Sequence, residues 1–194
     1  MPSNFDATAS MLGYLFQARY ALLDAVVRLH KDSVFTVAIE TLDDVVFDTQ
    51  GSATELLQAK HHLNSATNLT DASADLWKSL RIWCEGVTDG RWPDDTVFYL
   101  LTTGQAADGS VAAYLRAKTT RDVTKARQRL DSVAQSSTST SNATAYAAYL
   151  ALTQAQRETL LDRTVVLDRS PNIVGVETGM REALALAVEK DRVP

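Results

Sequence analysis

The pattern of hydrophobic and polar positions divides the chain into alternating helices and strands. From residue 9 to residue 30, apolar side chains recur at helical spacing, which predicts one long amphipathic first helix. Residues 34–39 and 45–47 are rich in β-branched and aromatic side chains, and a Gln-Gly-Ser turn precedes a third run at 55–59. We therefore expect a small meander of three strands directly after the first helix.

The rest of the chain continues the alternation. A helix is predicted at about 73–87, and after a breaker at 89–95 comes a near-continuous apolar strand at 96–103, typical of a sheet covered on both faces. Residues 63–75 and 135–142 are polar and predict loops. The remaining predicted elements are helices at 110–117, 122–133, 145–152, 153–161 and 173–190, and a strand at 164–167. The pattern predicts an α/β fold, a mixed sheet flanked by helices with a helical C-terminal part.

Composition is that of a folded domain. The 194 residues are 45% hydrophobic, enough to bury the core of one domain. The sequence has no apolar run of eighteen residues and no signal-peptide pattern, so a cytoplasmic protein without a membrane partner is expected. The single cysteine, Cys84, excludes an internal disulfide, and its helical context beside Trp83 predicts a buried, unreactive thiol.

Charge gives a mixed indication about nucleic acid. The net charge of −5 counts against a protein that binds DNA along its whole surface. The densest basic run, opposed only by Asp122, consists of Arg116, Lys118, Arg121, Lys125, Arg127 and Arg129. Such a run either lines a phosphate-binding groove or forms a solvated helix face, and the sequence leaves both interpretations open.

The meander also holds candidate chemistry. Gln58 and Lys60 lie two apart on a predicted strand, so their side chains leave the same face. Asp44 opens the neighbouring strand, fourteen positions before Gln58, a separation that suits a hairpin of this size. One face would then carry a carboxylate, an amide oxygen and an ammonium group. Oxygen ligands suit Mg²⁺, and a lysine can neutralise charge that develops on a phosphate, so this is a workable phosphodiester site.

Other polar residues of the meander remain alternatives. Adjacent strand residues point to opposite faces, so only one of Asp43 and Asp44 can be the metal-binding aspartate on the face of Gln58 and Lys60. Asp48, four residues after Asp44, points to the same face as Asp44 and remains an alternative. Glu40 is a further candidate carboxylate for the metal, because strand ends can converge. His61 and His62 have no second cluster at ligand spacing and are interpreted as a strand-exit loop. The alternative to a site is a polar strand edge that faces water.

These residues resemble a known signature. Asp44 followed by Gln58-Ala59-Lys60 is similar to the D…(E/Q)xK motif of PD-(D/E)xK restriction-like nucleases, in its Q-x-K variant. The chain most resembles the N-terminal double-stranded-DNA endonuclease domain of CBASS (CD-NTase-associated) and Lamassu-type antiphage effectors. Supporting segments, all in the first half of the chain, are GYLFQ at 13–17, WKSL at 77–80 and FYLLTT at 98–103.

The resemblance implies a specific protein. It would be a restriction-endonuclease-like domain spanning 1–194, with a core at about 9–105 and an extension at about 106–190, within a longer protein that adds a sensor or assembly domain. It would hydrolyse double-stranded DNA with Mg²⁺ or Mn²⁺ in the bacterial cytoplasm, and it would act as a homo-oligomer on activation.

The resemblance also implies roles for individual residues. Asp44, which precedes an apolar pair as the motif's aspartate usually does, would bind the metal with Gln58, and Lys60 would orient the attacking water or stabilise the pentacovalent phosphate. Gln17 on the first helix would reach the metal site, and Lys78 would lie near it. Two alternatives stay open: a non-catalytic module that only binds nucleic acid or assembles partners, and a nuclease of the same fold that acts on RNA or single strands.

Overall fold

A computed structural model describes residues 4–29, 35–39, 44–49, 52–60, 68–117 and 119–190. Within these ranges the elements, in chain order, are α1 (Asn4–Leu29), β1 (Thr36–Ile39), β2 (Val45–Thr49), β3 (Ser52–Lys60), β4 (Asn68–Leu69), α2 (Ala74–Thr88), β5 (Val97–Thr102), β6 (Gln105–Ala106), α3 (Val111–Tyr114), α4 (Val123–Ser136), α5 (Ala143–Ala151), α6 (Gln154–Asp162), β7 (Thr164–Leu167) and α7 (Ile173–Lys190).

The central sheet has five strands in the order β1-β2-β3-β5-β7. β1, β2 and β3 pair antiparallel as a meander, whereas β3, β5 and β7 are parallel. This confirms the predicted α/β fold with a mixed sheet flanked by helices. Because parallel strands end at the same edge, the carboxyl ends of β3, β5 and β7 lie side by side, with Lys60 paired to Thr102.

Successive side chains along the strands point to opposite faces of the sheet and belong to two separate hydrophobic cores. Leu56 and Leu100 belong to a core with Trp77 and Trp83 of α2, both of which are fully buried. Leu57 belongs to the other core, which α1 and α7 cover. The prediction that Cys84 is buried is confirmed. Among the described helices, none is long and apolar enough to cross a membrane.

Most predicted elements are present with small shifts of their ends. The third strand of the meander is longer than predicted, because β3 pairs with β2 on one side and β5 on the other. The two-residue strands β4 and β6 pair with each other, and β4 falls in a segment predicted as loop. Two residues are too few to show any periodicity, so this pairing could not be predicted from the pattern.

The basic run at 116–129 is largely committed to internal contacts. The Arg121 guanidinium donates to the backbone carbonyls of Leu115, Leu161, Asp162 and Thr164, which satisfies carbonyls at the end of α6. Arg116 pairs with Asp168, and Arg127 pairs with Asp131. Lys125 and Arg129 are more exposed but pair with Asp122 and Asp71. The phosphate-groove interpretation is therefore corrected for Arg116, Arg121 and Arg127, and Lys118 lies outside the described residues.

Candidate active site

The register of the β2–β3 hairpin brings Asp44 to Gln58. Val45 pairs with Leu57, so Asp44, the residue before β2, stands beside Gln58 near the end of β3. Lys60 follows two residues later on the same face of the strand. The structure therefore gathers Asp44, Gln58 and Lys60 at one point, as their spacing predicted.

The three side chains form one hydrogen-bonded network. Asp44 Oδ2 accepts from the Ala59 backbone N–H at 2.8 Å, and Asp44 Oδ1 lies 3.4 Å from the amide nitrogen of Gln58. The Lys60 ammonium donates to Gln58 Oε1 at 2.7 Å and lies 3.7 Å from Asp44 Oδ2. Gln58 thus bridges an anion and a cation, donating to one and accepting from the other.

The network is largely shielded from solvent. Gln58 is 2% exposed, and the side chains of Asp44 and Lys60 are 15% and 14% exposed. Ionised groups lose hydration when they are buried, and they remain charged only when they are paired or hydrogen-bonded. The same exclusion of water strengthens every electrostatic interaction in the site. A carboxylate and an ammonium held together here are therefore well placed to act on a charged ligand.

The donor set fits a magnesium ion. Asp44 and Gln58 supply hard oxygen atoms, and Mg²⁺ is commonly held by one or two carboxylates, with water and substrate phosphate filling the other positions. The described residues contain no group of three or more His, Cys, Asp or Glu side chains at metal-binding distance. Two oxygen donors do not fill the coordination shell of Mg²⁺, so an ion held by Asp44 and Gln58 would need further ligands.

Several sequence candidates are not brought into this network. Glu40, Asp43, His61 and His62 lie outside the described residues, so the metal-ligand role of Glu40 stays a prediction. Asp48 pairs with Ala53 at the other end of β2, beyond a register shift, which separates it from Gln58. The structure thus supports Asp44 over Asp48 as the residue beside Gln58.

Gln17 lies on the opposite side of the sheet. Its neighbours Phe16 and Ala21 on α1 pack in the same core as Leu57. Gln58 instead points to the same face of β3 as Leu56, which packs in the core with α2. Gln17 is 9% exposed, and its Oε1 is a buried acceptor without a hydrogen-bond partner in the described part of the chain. No described hydrogen bond joins Gln17 to Asp44, Gln58 or Lys60, so its predicted role stays a prediction.

Lys78 is also apart from the network. It lies on the exposed side of α2, where it lines a cavity of about 270 Å³ with Arg81 and Asn142. Within the described ranges, no ion pair or hydrogen bond links Lys78 to Asp44 or Gln58. Its proximity to the site, implied by the resemblance, stays a prediction.

A largely buried ion pair at the same sheet edge was not predicted from the sequence. Arg116 donates to both carboxylate oxygens of Asp168, at 2.8 and 2.6 Å, and the Ala106 N–H donates to the same carboxylate at 2.9 Å. Burial is the largest single influence on the pKa of Asp168 and acts to raise it, but the hydrogen bonds from Arg116 and the Ala106 N–H, together with the nearby positive charges, outweigh burial and lower the pKa. The available signal was an aspartate directly after an apolar strand. This pair joins the segment after β7 to β6 and to the end of α3.

Comparison with known proteins gives one informative likeness. Neither protein-family models nor curated proteins match the sequence. A solved structure, the Moraxella osloensis Cap4 SAVED/CARF-domain containing receptor, superposes on 91% of the chain with a TM-score of 0.53 and 16% sequence identity. This chain covers 37% of the length of that receptor. At this identity the likeness shows a shared fold.

Proposed function

We propose that this chain is a metal-dependent DNA endonuclease domain of an antiphage defence effector. The observation that carries the proposal is the convergence of Asp44, Gln58 and Lys60, with Lys60 Nζ 2.7 Å from Gln58 Oε1. A shielded carboxylate, amide and ammonium at the end of a strand hairpin is the arrangement that the D…QxK resemblance implies. A solvent-facing strand edge would leave these side chains exposed.

Each residue of the network has a distinct task in this proposal. The Asp44 carboxylate and Gln58 Oε1 would hold Mg²⁺, which when bound activates a water and stabilises the leaving oxygen. For Gln58 Oε1 to bind the ion, Lys60 would have to give up its hydrogen bond to that oxygen. The Lys60 ammonium would then be free to neutralise the negative charge that grows on the scissile phosphate as water attacks phosphorus. The protein's contribution is to position these groups and to exclude bulk water.

The defence context rests on two supports. The motif resembles that of antiphage endonuclease domains, and the fold is shared with a SAVED/CARF-domain containing receptor. The chain covers 37% of that receptor, so we propose that further domains sense a signal and control this one. Double-stranded DNA is the proposed substrate.

The test is cleavage of supercoiled plasmid by the purified chain with Mg²⁺ or Mn²⁺. Asp44→Asn keeps an acceptor for the Ala59 N–H while removing the charge, and Lys60→Met keeps the length of the side chain. We expect each variant to lose at least about a hundredfold in cleavage rate, the usual effect of removing a transition-state electrostatic group. Asp48→Asn and the exposed Lys125→Met are matched controls, which should cut like the parent.

Two outcomes would refute the proposal. Equal cutting by the parent and both site variants would show that the site assignment is wrong. A parent that binds plasmid but never cuts it, at high protein concentration or when forced to dimerise, would instead support the non-catalytic binding module.

A further inference from the structure

The outer face of α1 is apolar and uncovered. Six of the nine large apolar side chains that are exposed in the described part of the chain lie on α1. Met11 is 67% exposed, Leu22 51% and Leu29 60%. Solvent-facing sides of helices normally carry charged residues, so an apolar outer face of this length indicates a binding surface.

Four of these exposed residues, together with two half-buried alanines, follow a heptad repeat. The α1 stripe, as we name it, consists of Met11, Leu15, Ala18, Leu22, Ala25 and Leu29. The intervals alternate between four and three residues, which is the a/d spacing of a coiled-coil seam. The stripe covers about 28 Å of helix at 1.5 Å per residue.

The stripe points away from the body of the protein. Phe16 and Gln17, which are buried, lie on the other side of the helix, and the buried Ala21 borders the stripe. Between Met11 and Leu29 the charged residues are Arg19, Asp24 and Arg28. Arg19 pairs with Glu177 of α7, and Arg28 pairs with both Asp24 and Glu55, so these charges are engaged within the same molecule.

The stripe is complementary to itself when two copies run antiparallel. Large and small residues then face each other in every inner layer: Leu15 meets Ala25 of the second copy, and Ala18 meets its Leu22. Met11 meets Leu29 at each end. Alternating large and small residues across facing positions lets two helices approach closely and interdigitate. A parallel pairing would instead set Ala18 against Ala18 and Leu22 against Leu22, leaving gaps and crowding.

We propose that α1 is a homodimerisation helix, with the α1 stripes of two copies packed antiparallel about a two-fold axis. Each residue contact then occurs twice, as in an isologous interface. Two helices in contact over this length bury on the order of 1,000 Å², the lower limit for a specific interface, so we expect a dimer whose formation depends on protein concentration. This inference does not rest on the nuclease proposal, because it needs only the surface of α1.

The first experiment measures association of the 194-residue chain by sedimentation over a concentration series. The parent forms dimers. Leu15→Glu and Leu22→Glu each weaken association at least tenfold, because a charge replaces a leucine that the interface buries. Val174→Glu, which makes the same change at an exposed position of α7, leaves association unchanged. A monomeric parent at all concentrations, or equal association by the two stripe variants, overturns the proposal.

The second experiment tests the orientation of the two helices. A mixture of Leu15→Cys and Ala25→Cys chains forms an intermolecular disulfide on mild oxidation, whereas each variant alone does not. The native Cys84 does not interfere because it is fully buried. A disulfide formed by Leu15→Cys alone would show parallel helices and overturn the antiparallel assignment, as would the lack of any disulfide in the mixture.

Discussion

Gln58 occupies the position where the signature that this chain resembles more often has an acidic residue. Its amide both donates towards Asp44 and accepts from Lys60, so it joins the two charges without adding a third. A carboxylate here would place two negative charges side by side in a site that is shielded from water. The glutamine therefore favours the folded protein, and under the proposed function it would do so at the expense of metal affinity.

The first prediction concerns Gln58→Glu. Without metal, repulsion between the new carboxylate and Asp44 should lower the free energy of unfolding by about 1–3 kcal/mol, the usual penalty for a poorly satisfied buried charge. Mg²⁺ should then raise the melting temperature of this variant more than that of the parent, since a ligand that binds the folded state stabilises it. The measurement is thermal unfolding with EDTA and with Mg²⁺.

The control for Gln58→Glu is Gln105→Glu, the same change at an exposed position. It should shift neither the melting temperature nor the response to Mg²⁺. If Mg²⁺ stabilises Gln58→Glu no more than it stabilises the parent, Gln58 does not lie at a metal site.

At the residue scale, the sequence predicted the network of Asp44, Gln58 and Lys60 but not the arrangement of the residues around it. Both outcomes have physical reasons. Strand parity and hairpin length are local properties, and they were enough to bring Asp44, Gln58 and Lys60 together. The position of Gln17 depends on which face of the sheet α1 covers, and a strand pattern does not encode that. The Arg116–Asp168 pair joins residues 52 positions apart, and only the folded sheet makes them neighbours.

At the level of single elements, two helical glycines have opposite surroundings. A Cβ atom at Gly86 of α2 would lie 1.8 Å from the Trp92 indole nitrogen, which donates to the Trp83 carbonyl. A Cβ atom at Gly13 of α1 would meet nothing within 4 Å. Gly86 is therefore required so that Trp92 can lie against α2, whereas Gly13 has no such constraint.

The second prediction compares these two glycines. Gly13→Ala should raise the free energy of unfolding by about 0.5–1 kcal/mol, because alanine is the better helix former. Gly86→Ala should instead lower it by about 1–3 kcal/mol, because Trp92 must leave its contact with Phe98 to make room. Urea unfolding of both variants measures the two changes, and a stabilising Gly86→Ala would show that Trp92 is not fixed in this position.

The elements themselves were largely predictable, and their pairing was not. Runs such as 164–167 and 173–190 are strongly periodic or apolar, and the structure has β7 and α7 at those positions. Nothing local indicates that β7 joins the sheet beside β5, because that pairing connects segments more than sixty residues apart. The β4–β6 pairing was missed because strands of two residues are too short to show any periodicity.

At the scale of the whole molecule, the sheet separates two helical layers, and each contains a buried acid group that stays protonated to high pH. Burial is the main cause that raises the pKa of Cys84, in the layer of α2, to about 12. Burial also raises the pKa of Tyr20, in the layer of α1, to about 12, with Asp24 adding to the effect. Unfolding exposes both groups to water, where their pKa values return to about 8.5 and about 10.

The third prediction is therefore a loss of stability in alkali that begins with Cys84. A group whose pKa is higher in the folded state contributes stability below its unfolded pKa and loses that contribution as pH rises towards its folded pKa. For Cys84 this window runs from about pH 8.5 to about 12, and each pH unit removes about 1.4 kcal/mol. Tyr20 adds a second decline above about pH 10.

Urea unfolding at about pH 7.5 and about pH 10 measures this effect, and Cys84→Ala separates the thiol from every other group. The parent should lose about 2 kcal/mol more than Cys84→Ala between these pH values, since only the parent has a thiol that ionises on unfolding. Deleting the buried side chain lowers the stability of the variant at every pH, so the comparison uses the change with pH and not the absolute values. Parallel pH profiles for the two proteins would mean that Cys84 ionises as readily in the folded chain as in the unfolded one, which the complete burial of this α2 residue in the core contradicts.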